Sequence, residues 1–432
     1  MSEAFPAYVP GKRSLSPQLG VVMSILLLSA WAVLAVWQEW NVWPQDLSAV
    51  YIAGHFLETG QTALVYAAPE GFFGGAADSW LPEIEALGGP DVVSYPYVYP
   101  PLWAALAAPL TDRVGVLAFS DAISIVQYFF LAASVLLAAR LFRPASMPLY
   151  LWCVIGAIIL QFSIPVYVAV GHNQPTITMV FLILLSFERL AAGRPISSGI
   201  ALAVAAALKL TPAVFVLIFL MERQYRAVAA FALAGAALGL LSLALAGIDL
   251  HFAYLGALGL VKETALLSAV NISLKPALIA LGAEFGWGAA LDHAEHGIVL
   301  HDLPAWLGPA LSLSAFAIIA TGLVALRRWP TAEARAMAIL LLSIVLPLFG
   351  PLGWQHYYIL PALLLPGLFA RMPKTQAAIF GIPLAVLTLT FVGDFIIYLP
   401  WPLGHFVWIH CALWLAVLAI VLRRILRGPD PA

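Results

Sequence analysis

Long apolar segments recur along almost the whole of this chain. They are so frequent that 63% of its 432 residues are hydrophobic and only 10% are charged. A water-soluble domain has too little interior for such a composition, whereas a bilayer accepts helices of about 20 apolar residues. The sequence therefore predicts an all-α, polytopic membrane protein.

We place about twelve membrane-spanning helices on these segments. They lie near 19–38, 116–139, 148–168, 175–188, 197–208, 211–221, 228–246, 304–326, 336–352, 355–370, 376–398 and 405–422. We expect the first to be an uncleaved anchor rather than a signal peptide, because many spans follow it. Cys153 and Cys411 each lie in an apolar segment, which predicts buried core residues rather than a disulfide.

Charged residues are divided between two sets of connecting loops. Sixteen of the 20 Lys and Arg fall on one side of the predicted spans, and 17 of the 22 Asp and Glu fall on the other. The basic side carries Lys12, Arg13, Arg140, Arg143, Arg189, Arg194, Arg223, Arg226, Arg327, Arg328, Arg335, Arg371, Lys374, Arg423, Arg424 and Arg427. The positive-inside rule makes this side, with both termini, cytoplasmic.

Two longer regions, 39–115 and 247–303, lie on the predicted outer side of what we treat as a single domain, 1–432. In the first, 46–58 has helical apolar spacing, is followed by Gly60, and is expected to lie along the membrane surface. The Pro-rich run 95–101 prevents a helix from beginning before Pro100. Residues 101–111 are too few to span and predict a re-entrant helix.

No cofactor motif is present. We interpret Asp292, His293, Glu295 and His296 as a solvated loop rather than a metal site, because no HExxH pattern or Cys accompanies them. Walker A, dinucleotide-binding and nucleophile-elbow motifs are missing from the sequence. We expect no cofactor and no nucleic-acid partner, and the sequence leaves open whether a divalent metal takes part.

Asp46 is the first candidate for chemistry. It follows the first predicted span at the start of a predicted helix. A carboxylate there can cap backbone N–H groups. It can also act as a general base that takes a proton from a hydroxyl at the membrane surface. The two roles are compatible.

Lys209 is the second candidate, because it interrupts otherwise continuous apolar sequence. An unpaired charge at membrane depth is costly, so its partner is either a protein carboxylate or a bound phosphate. Two polar segments, 171–175 and 353–358, begin where helices emerge on the same side. As aromatic-belt and turn residues they would be unremarkable, but together they favour a polar pocket. We expect its walls to be 43–60, 95–103, 171–175, 207–212 and 350–358.

Taken in order, several short segments resemble glycosyltransferase family 87, from about Asp46 to Pro366. They are Asp46–Tyr51 with Gly60, Tyr97–Leu102 with Pro109-Leu110, Gly171–Gln174, Lys209–Pro212 with Glu222-Arg223, Asn271–Ser273 and Gly350–His356. Tyr357 stands where such sequences often have a second His. The resemblance implies a GT-C helical fold in a bacterial inner membrane.

The same resemblance implies that a sugar, mannose or a related one, passes from a polyprenyl phosphate to a hydroxyl of a glycolipid or glycan on the outer face, with inversion at the anomeric carbon. Asp46 matches the catalytic base. Lys209 and His356 are our candidates for binding the donor phosphate. Candidates for binding the substrate are Tyr97, Tyr99, His172, Asn173, Gln174, Asn271 and Trp354.

Two other functions fit a polytopic chain with broken helices. A transporter or flippase of a lipid-linked or polar substrate is one, although we find no internal repeat and few charges inside the spans. A non-catalytic subunit of a lipid- or polysaccharide-modifying complex is the other. The presence of Asp46 beside the Tyr-Pro-Pro and Trp-Gln-His segments favours an enzyme.

Overall fold

Helices dominate the computed structural model, which describes residues 16–69, 75–263, 265–284, 290–294, 297–301, 304–392 and 403–429. The first nine are α1 (Pro17–Gln38), α2 (Leu47–Glu58), α3 (Leu81–Gly88), α4 (Pro101–Thr111), α5 (Val116–Phe142), α6 (Leu149–Phe162), α7 (Ile164–Gly171), α8 (Thr176–Ala191) and α9 (Pro195–Leu208). The others are α10 (Val216–Met221), α11 (Tyr225–Glu263), α12 (Leu274–Glu284), α13 (Leu307–Leu326), α14 (Thr331–Phe349), α15 (Ile359–Phe369), α16 (Lys374–Leu387) and α17 (Leu403–Arg427). Short 3₁₀ helices lie at Thr62–Leu64, Asp78–Trp80, Thr211–Phe215 and Gln355–Tyr358.

Helices lie at all twelve predicted positions as far as these are described, residues 393–398 lying outside the described part, but fewer have the length of a full span. Within the described residues, six are long and apolar enough to cross a membrane: α1, α5, α11, α13, α14 and α17. A seventh span is counted if α7 and α8, which are bent by 119°, are taken as one. The helices α4, α6, α9 and α16 and the stretch Thr211–Met221 are apolar but shorter. The chain is thus a polytopic membrane protein, and the number twelve stays a prediction.

A small β-sheet departs from the all-α prediction. Strands β1 (Ala265–Leu267), β2 (Ala290–Ala294) and β3 (Gly297–His301) form an antiparallel, three-stranded sheet in the order β1-β3-β2. Asp292 and His293 therefore lie in a strand rather than in the loop we predicted, whereas Glu295 and His296 lie outside the described residues. The β-branched Ile298 and Val299 suit a strand once a partner strand is present.

The helices of the first outer region begin and end near the predicted residues. The helix ends predicted from proline and glycine are confirmed. Helix α4 starts at Pro101, and Gly60, just after α2, has φ +75°. The position of α2 along the membrane surface stays a prediction, and nine of its 12 residues are buried. Gly54 allows this, because a Cβ there would come within 2.9 Å of the Ala107 side chain on α4. Close packing of the two helices, not lipid, covers α2.

Ion pairs join several of the predicted cytoplasmic segments at one end of the helices. Arg140 binds Glu188 at 2.6 Å, and Arg335 binds Glu222 through two nitrogens at 2.5 and 2.8 Å. Arg371 donates to the Phe142 carbonyl at 2.8 Å. The basic loops that the sequence places on one side are thus neighbours in the fold, and which side of the membrane they face stays a prediction.

Candidate active site

Asp46 occupies the residue before α2, yet it does not cap the helix. Its side chain makes no hydrogen bond to the N–H groups of the first turn. Its own backbone N–H donates to the His172 carbonyl at 3.2 Å, which ties the start of α2 to the bend between α7 and α8. Helix capping, which the sequence allowed, therefore does not account for the Asp46 carboxylate, whose oxygens contact other groups.

The bend between α7 and α8 supplies the neighbours of that carboxylate. Gln174 donates its side-chain N–H to Asp46 Oδ2. His172 Nδ1 lies 3.4 Å from the same oxygen, without the geometry of a hydrogen bond. The Asp46 side chain is 19% exposed and that of His172 25% exposed. The carboxylate is thus held from one side while part of it stays open.

Burial raises the pKa of the Asp46 carboxyl, since desolvation disfavours the charged form. The positive charge of His172 and of Lys209, and the hydrogen bond from Gln174, oppose this rise. A carboxylate with a raised pKa is a stronger base than an exposed one. The cationic groups near it favour its charged form, so the environment suits a group that must accept a proton.

Lys209 lies in the break that follows α9, as the sequence predicts, and its ammonium is surrounded by aromatic rings and hydroxyls. Nζ lies 5.4 Å from the ring centre of Tyr99 and 4.6 Å from that of Tyr357. It donates to the Tyr357 hydroxyl at 3.1 Å and to the Thr176 hydroxyl at 3.4 Å. Among the described residues no carboxylate lies within ion-pair distance of it, so its charge is held by dipoles and π faces.

His356 lies beside Tyr357 and is only 3% exposed. Its imidazole meets the Tyr357 ring edge-on, with ring centres 4.7 Å apart. Neither ring nitrogen has a hydrogen-bond partner in the described protein. Buried polar atoms without partners are rare and mark places where a ligand or water completes the bonding.

A continuous series of contacts connects these groups. From Asp46 it passes to Gln174, then to the Tyr99 hydroxyl, which donates to Gln174 Oε1 at 3.4 Å. The Tyr99 ring then contacts Lys209, and Lys209 contacts Tyr357. The Trp103 indole N–H also donates to the Ala207 carbonyl at 2.7 Å. The five predicted wall segments therefore meet. We call the following residues the polar cluster: Asp46, Tyr95, Tyr99, His172, Gln174, Thr176, Lys209, His356 and Tyr357.

Three of the predicted substrate-binding residues have side chains that are already engaged in the protein, and a fourth, Trp354, pairs through its backbone. The Tyr97 hydroxyl donates to the Pro100 carbonyl, and Asn173 donates to the Ser120 and Ser124 hydroxyls on α5. Asn271 donates to the Leu266 carbonyl and accepts from the Gly353 N–H, beside its bridge to Trp354. Their geometry supports the walls of the polar cluster, and binding of substrate by Tyr97, Asn173, Asn271 and Trp354 stays a prediction.

Three residues of the polar cluster were not singled out from the sequence. Tyr357 and Thr176 hold Lys209, and Tyr95 places its ring 5.8 Å from that of His172. Tyr357 had a signal, since it follows His356 and departs from the usual residue of similar sequences. Thr176 had none, because hydroxyls at helix starts are common, and Tyr95 was predicted only as part of the wall segment 95–103.

The polar cluster brings a general-base candidate and a cation to one place, and the part of the chain that is described contains no group of three or more His, Cys, Asp or Glu that is arranged to hold a metal. The protein is thus a polytopic, helical membrane protein with these groups near the ends of its helices. Such a site suits a substrate that is anionic and carries hydroxyls.

The chain belongs to glycosyltransferase family 87, whose model matches residues 97–352, more than half of its length. It is therefore a membrane glycosyltransferase. The match starts after Asp46 and stops before Trp354, His356 and Tyr357, so the roles of those residues depend on the geometry above. The comparisons with curated proteins and with solved structures give no match.

Proposed function

We propose that this glycosyltransferase moves a sugar, mannose or a related one, from a polyprenyl phosphate to a hydroxyl of a glycolipid or glycan, with Asp46 as general base. The supporting observation is the polar cluster itself. It has a partly open carboxylate of raised pKa at one end. At the other end lie an ammonium without a carboxylate partner and an imidazole without a hydrogen-bond partner among the described residues.

The reaction needs a base and a site for the leaving phosphate on opposite sides of the sugar. Asp46 takes the proton of the acceptor hydroxyl while the acceptor oxygen forms a bond to the anomeric carbon. The bond from that carbon to the phosphate oxygen breaks, and its electron pair leaves with the phosphate. Attack opposite the leaving group inverts the anomeric configuration.

Lys209 and His356 are the proposed contacts of the phosphate. The ammonium balances the charge that grows on the leaving oxygens, and it does so from a position already fixed by Tyr99, Tyr357 and Thr176. An imidazole with both nitrogens buried and unpartnered can donate one hydrogen bond to a phosphate oxygen. His172 and Gln174, which adjoin Asp46, are then placed for sugar or acceptor hydroxyls.

The proposal also includes an orientation. The polar cluster faces the periplasm or exterior of a bacterial inner membrane, and the ends that carry Arg140, Arg335 and Arg371 face the cytoplasm, in keeping with the positive-inside rule. The polyprenyl chain stays in the bilayer while the sugar phosphate reaches the cluster.

Purified protein in proteoliposomes tests the proposal against the transporter alternative. Given a radiolabelled polyprenyl-phosphate sugar and a hydroxyl acceptor, the enzyme forms a labelled glycoside and releases polyprenyl phosphate, and a nucleotide sugar does not replace the donor. Movement of label across the bilayer without a new glycosidic bond would support the transporter and overturn the proposal.

A further inference from the structure

A groove with a volume of about 300 Å³ lies between α1, α5 and α6, away from the polar cluster. Its walls are apolar: Val21 and Ile25 from α1, Leu136 and Ala139 from α5, and Leu149 from α6. Val21 and Ile25 are 42% and 49% exposed, so the groove opens outward from the helices. This volume is at the lower end of the range of about 300–1,000 Å³ for small-molecule sites, which suits one acyl chain rather than two.

Arginines lie at the end of the groove where α5 finishes. Arg140 and Arg143 are both part of its lining. Arg140 is 67% exposed and gives one nitrogen to Glu188, but Glu188 is also bound by Arg189 at 2.5 Å. One carboxylate is thus shared by two guanidinium groups. With Arg143 included, the end of the groove keeps a net positive charge.

Arg143 has a donor that the protein does not use. One of its terminal nitrogens donates to the Met147 carbonyl in the turn between α5 and α6. Its Nε is buried and has no hydrogen-bond partner among the described residues. A guanidinium group presents several donors that match the oxygens of a phosphate, and one more such acceptor would satisfy Nε.

We infer that this groove binds an anionic glycerophospholipid, with one acyl chain between α1 and α5 and its phosphate at Arg140 and Arg143. The end of a spanning helix is the depth at which a lipid headgroup lies, and basic pockets between such helices bind acidic headgroups. A zwitterionic lipid also has a phosphate, but its ammonium would be brought close to Arg140 and Arg143. The site is independent of the proposed function, since it shares no residue with the polar cluster.

Native mass spectrometry of the full-length protein in neutral detergent tests the site. The protein is mixed with phosphatidylglycerol or with phosphatidylcholine of the same acyl chains, and the lipid that stays bound is measured. We expect phosphatidylglycerol to be retained about tenfold better, because Arg140 and Arg143 repel the ammonium of phosphatidylcholine, and to raise Tm. Equal retention of the two lipids would overturn the inference.

Three variants separate the parts of the site. Arg143→Gln removes the charge and Ile25→Trp fills the groove while keeping the arginines, and each should abolish the preference for phosphatidylglycerol. Arg226→Gln, the same change at the start of α11, should leave it intact. Because Ile25 is half-exposed, its variant should fold even if Arg143→Gln does not.

Each outcome bears on the inference. A filled groove that still prefers phosphatidylglycerol would overturn the acyl-chain site. If Arg226→Gln also lost the preference for phosphatidylglycerol, the lipid would be attracted by the overall positive charge of this side and not by a site in the groove. Glycerol 3-phosphate, which has the phosphate without the chain, should not raise Tm, and a rise equal to that with the lipid would also refute the groove.

Discussion

Replacing Asp46 by Asn keeps the shape of the side chain and removes only its capacity to accept a proton. The amide oxygen of Asn can still receive the hydrogen bond from Gln174, so the contact between α2 and the bend at 172–175 persists. No capping bond is lost, because Asp46 makes none with its side chain. The general-base role predicts a loss in transfer rate of roughly 10²–10⁴-fold, which corresponds to about 3–5 kcal/mol in the barrier.

The same substitution should slow transfer without lowering the stability of the folded protein. Burial raises the pKa of Asp46 in the folded state, so the folded protein binds that proton more tightly than the unfolded chain. The stability from this difference is present below the unfolded pKa and is lost as the pH rises through the folded pKa. At neutral pH the charged carboxylate is therefore a cost, and Asp46→Asn should leave Tm unchanged or higher.

The assay measures glycoside formation, Tm and donor binding on the same preparation. Asp91→Asn is the matched control, since it makes the same chemical change at an exposed residue of the same outer region and should keep normal turnover. An Asp46→Asn enzyme that is folded, binds donor and transfers sugar at close to the normal rate would refute the reasoning. A fall in Tm of several degrees would instead indicate a structural role.

Other substitutions test the rest of the polar cluster and the topology. Lys209→Met keeps packing between the aromatic rings but loses the charge, and should raise the KM for the donor by roughly 10–100-fold, which steady-state kinetics would detect. Tyr357→Phe removes the 3.1 Å bond to Lys209 and keeps the ring, so the same KM should rise by at most about tenfold; a larger loss in kcat than in donor binding would contradict this role. Because the pKa of Asp46 is raised and the base must be ionised, kcat/KM should fall on the acid side with a midpoint above the ordinary carboxyl value of about 4, and the residual rate of Asp46→Asn should lack that limb. In intact cells, a cysteine at position 78 should react with an impermeant reagent and one at position 193 should not; the reverse pattern would invert the orientation.

Local sequence patterns predicted most of the helices. Apolar segments and their lengths predict spanning helices, and Pro100, Pro101 and Gly60 mark helix ends because proline and glycine act on the backbone of their own neighbourhood. The sequence also identified Lys209 as an isolated cation, since its flanks are apolar on both sides. Such information is contained within about 20 residues of each position, so tertiary contacts are not needed to read it.

Pairings between distant residues were decided by the tertiary structure. Gln174 meets Asp46 across 128 positions of the chain, and Tyr357 meets Lys209 across 148. Neither pairing has a periodic signal, because it depends on how α2, the bend after α7 and the break after α9 pack together. The same packing turned Asn173 toward Ser124 on α5 and buried α2, neither of which local spacing predicted.

The sequence by itself determined the membrane class, the family resemblance and the candidate residues Asp46, Lys209 and His356, since these follow from composition and short motifs. Only the tertiary structure decided that Asp46 is held by Gln174 rather than used as a cap and that Tyr99 and Tyr357 enclose Lys209. It also decided that His356 is buried with no hydrogen-bond partner in the described part of the chain. The physical reason is that burial and unsatisfied hydrogen bonds are properties of packed surroundings, which arise only when segments far apart in the chain come into contact.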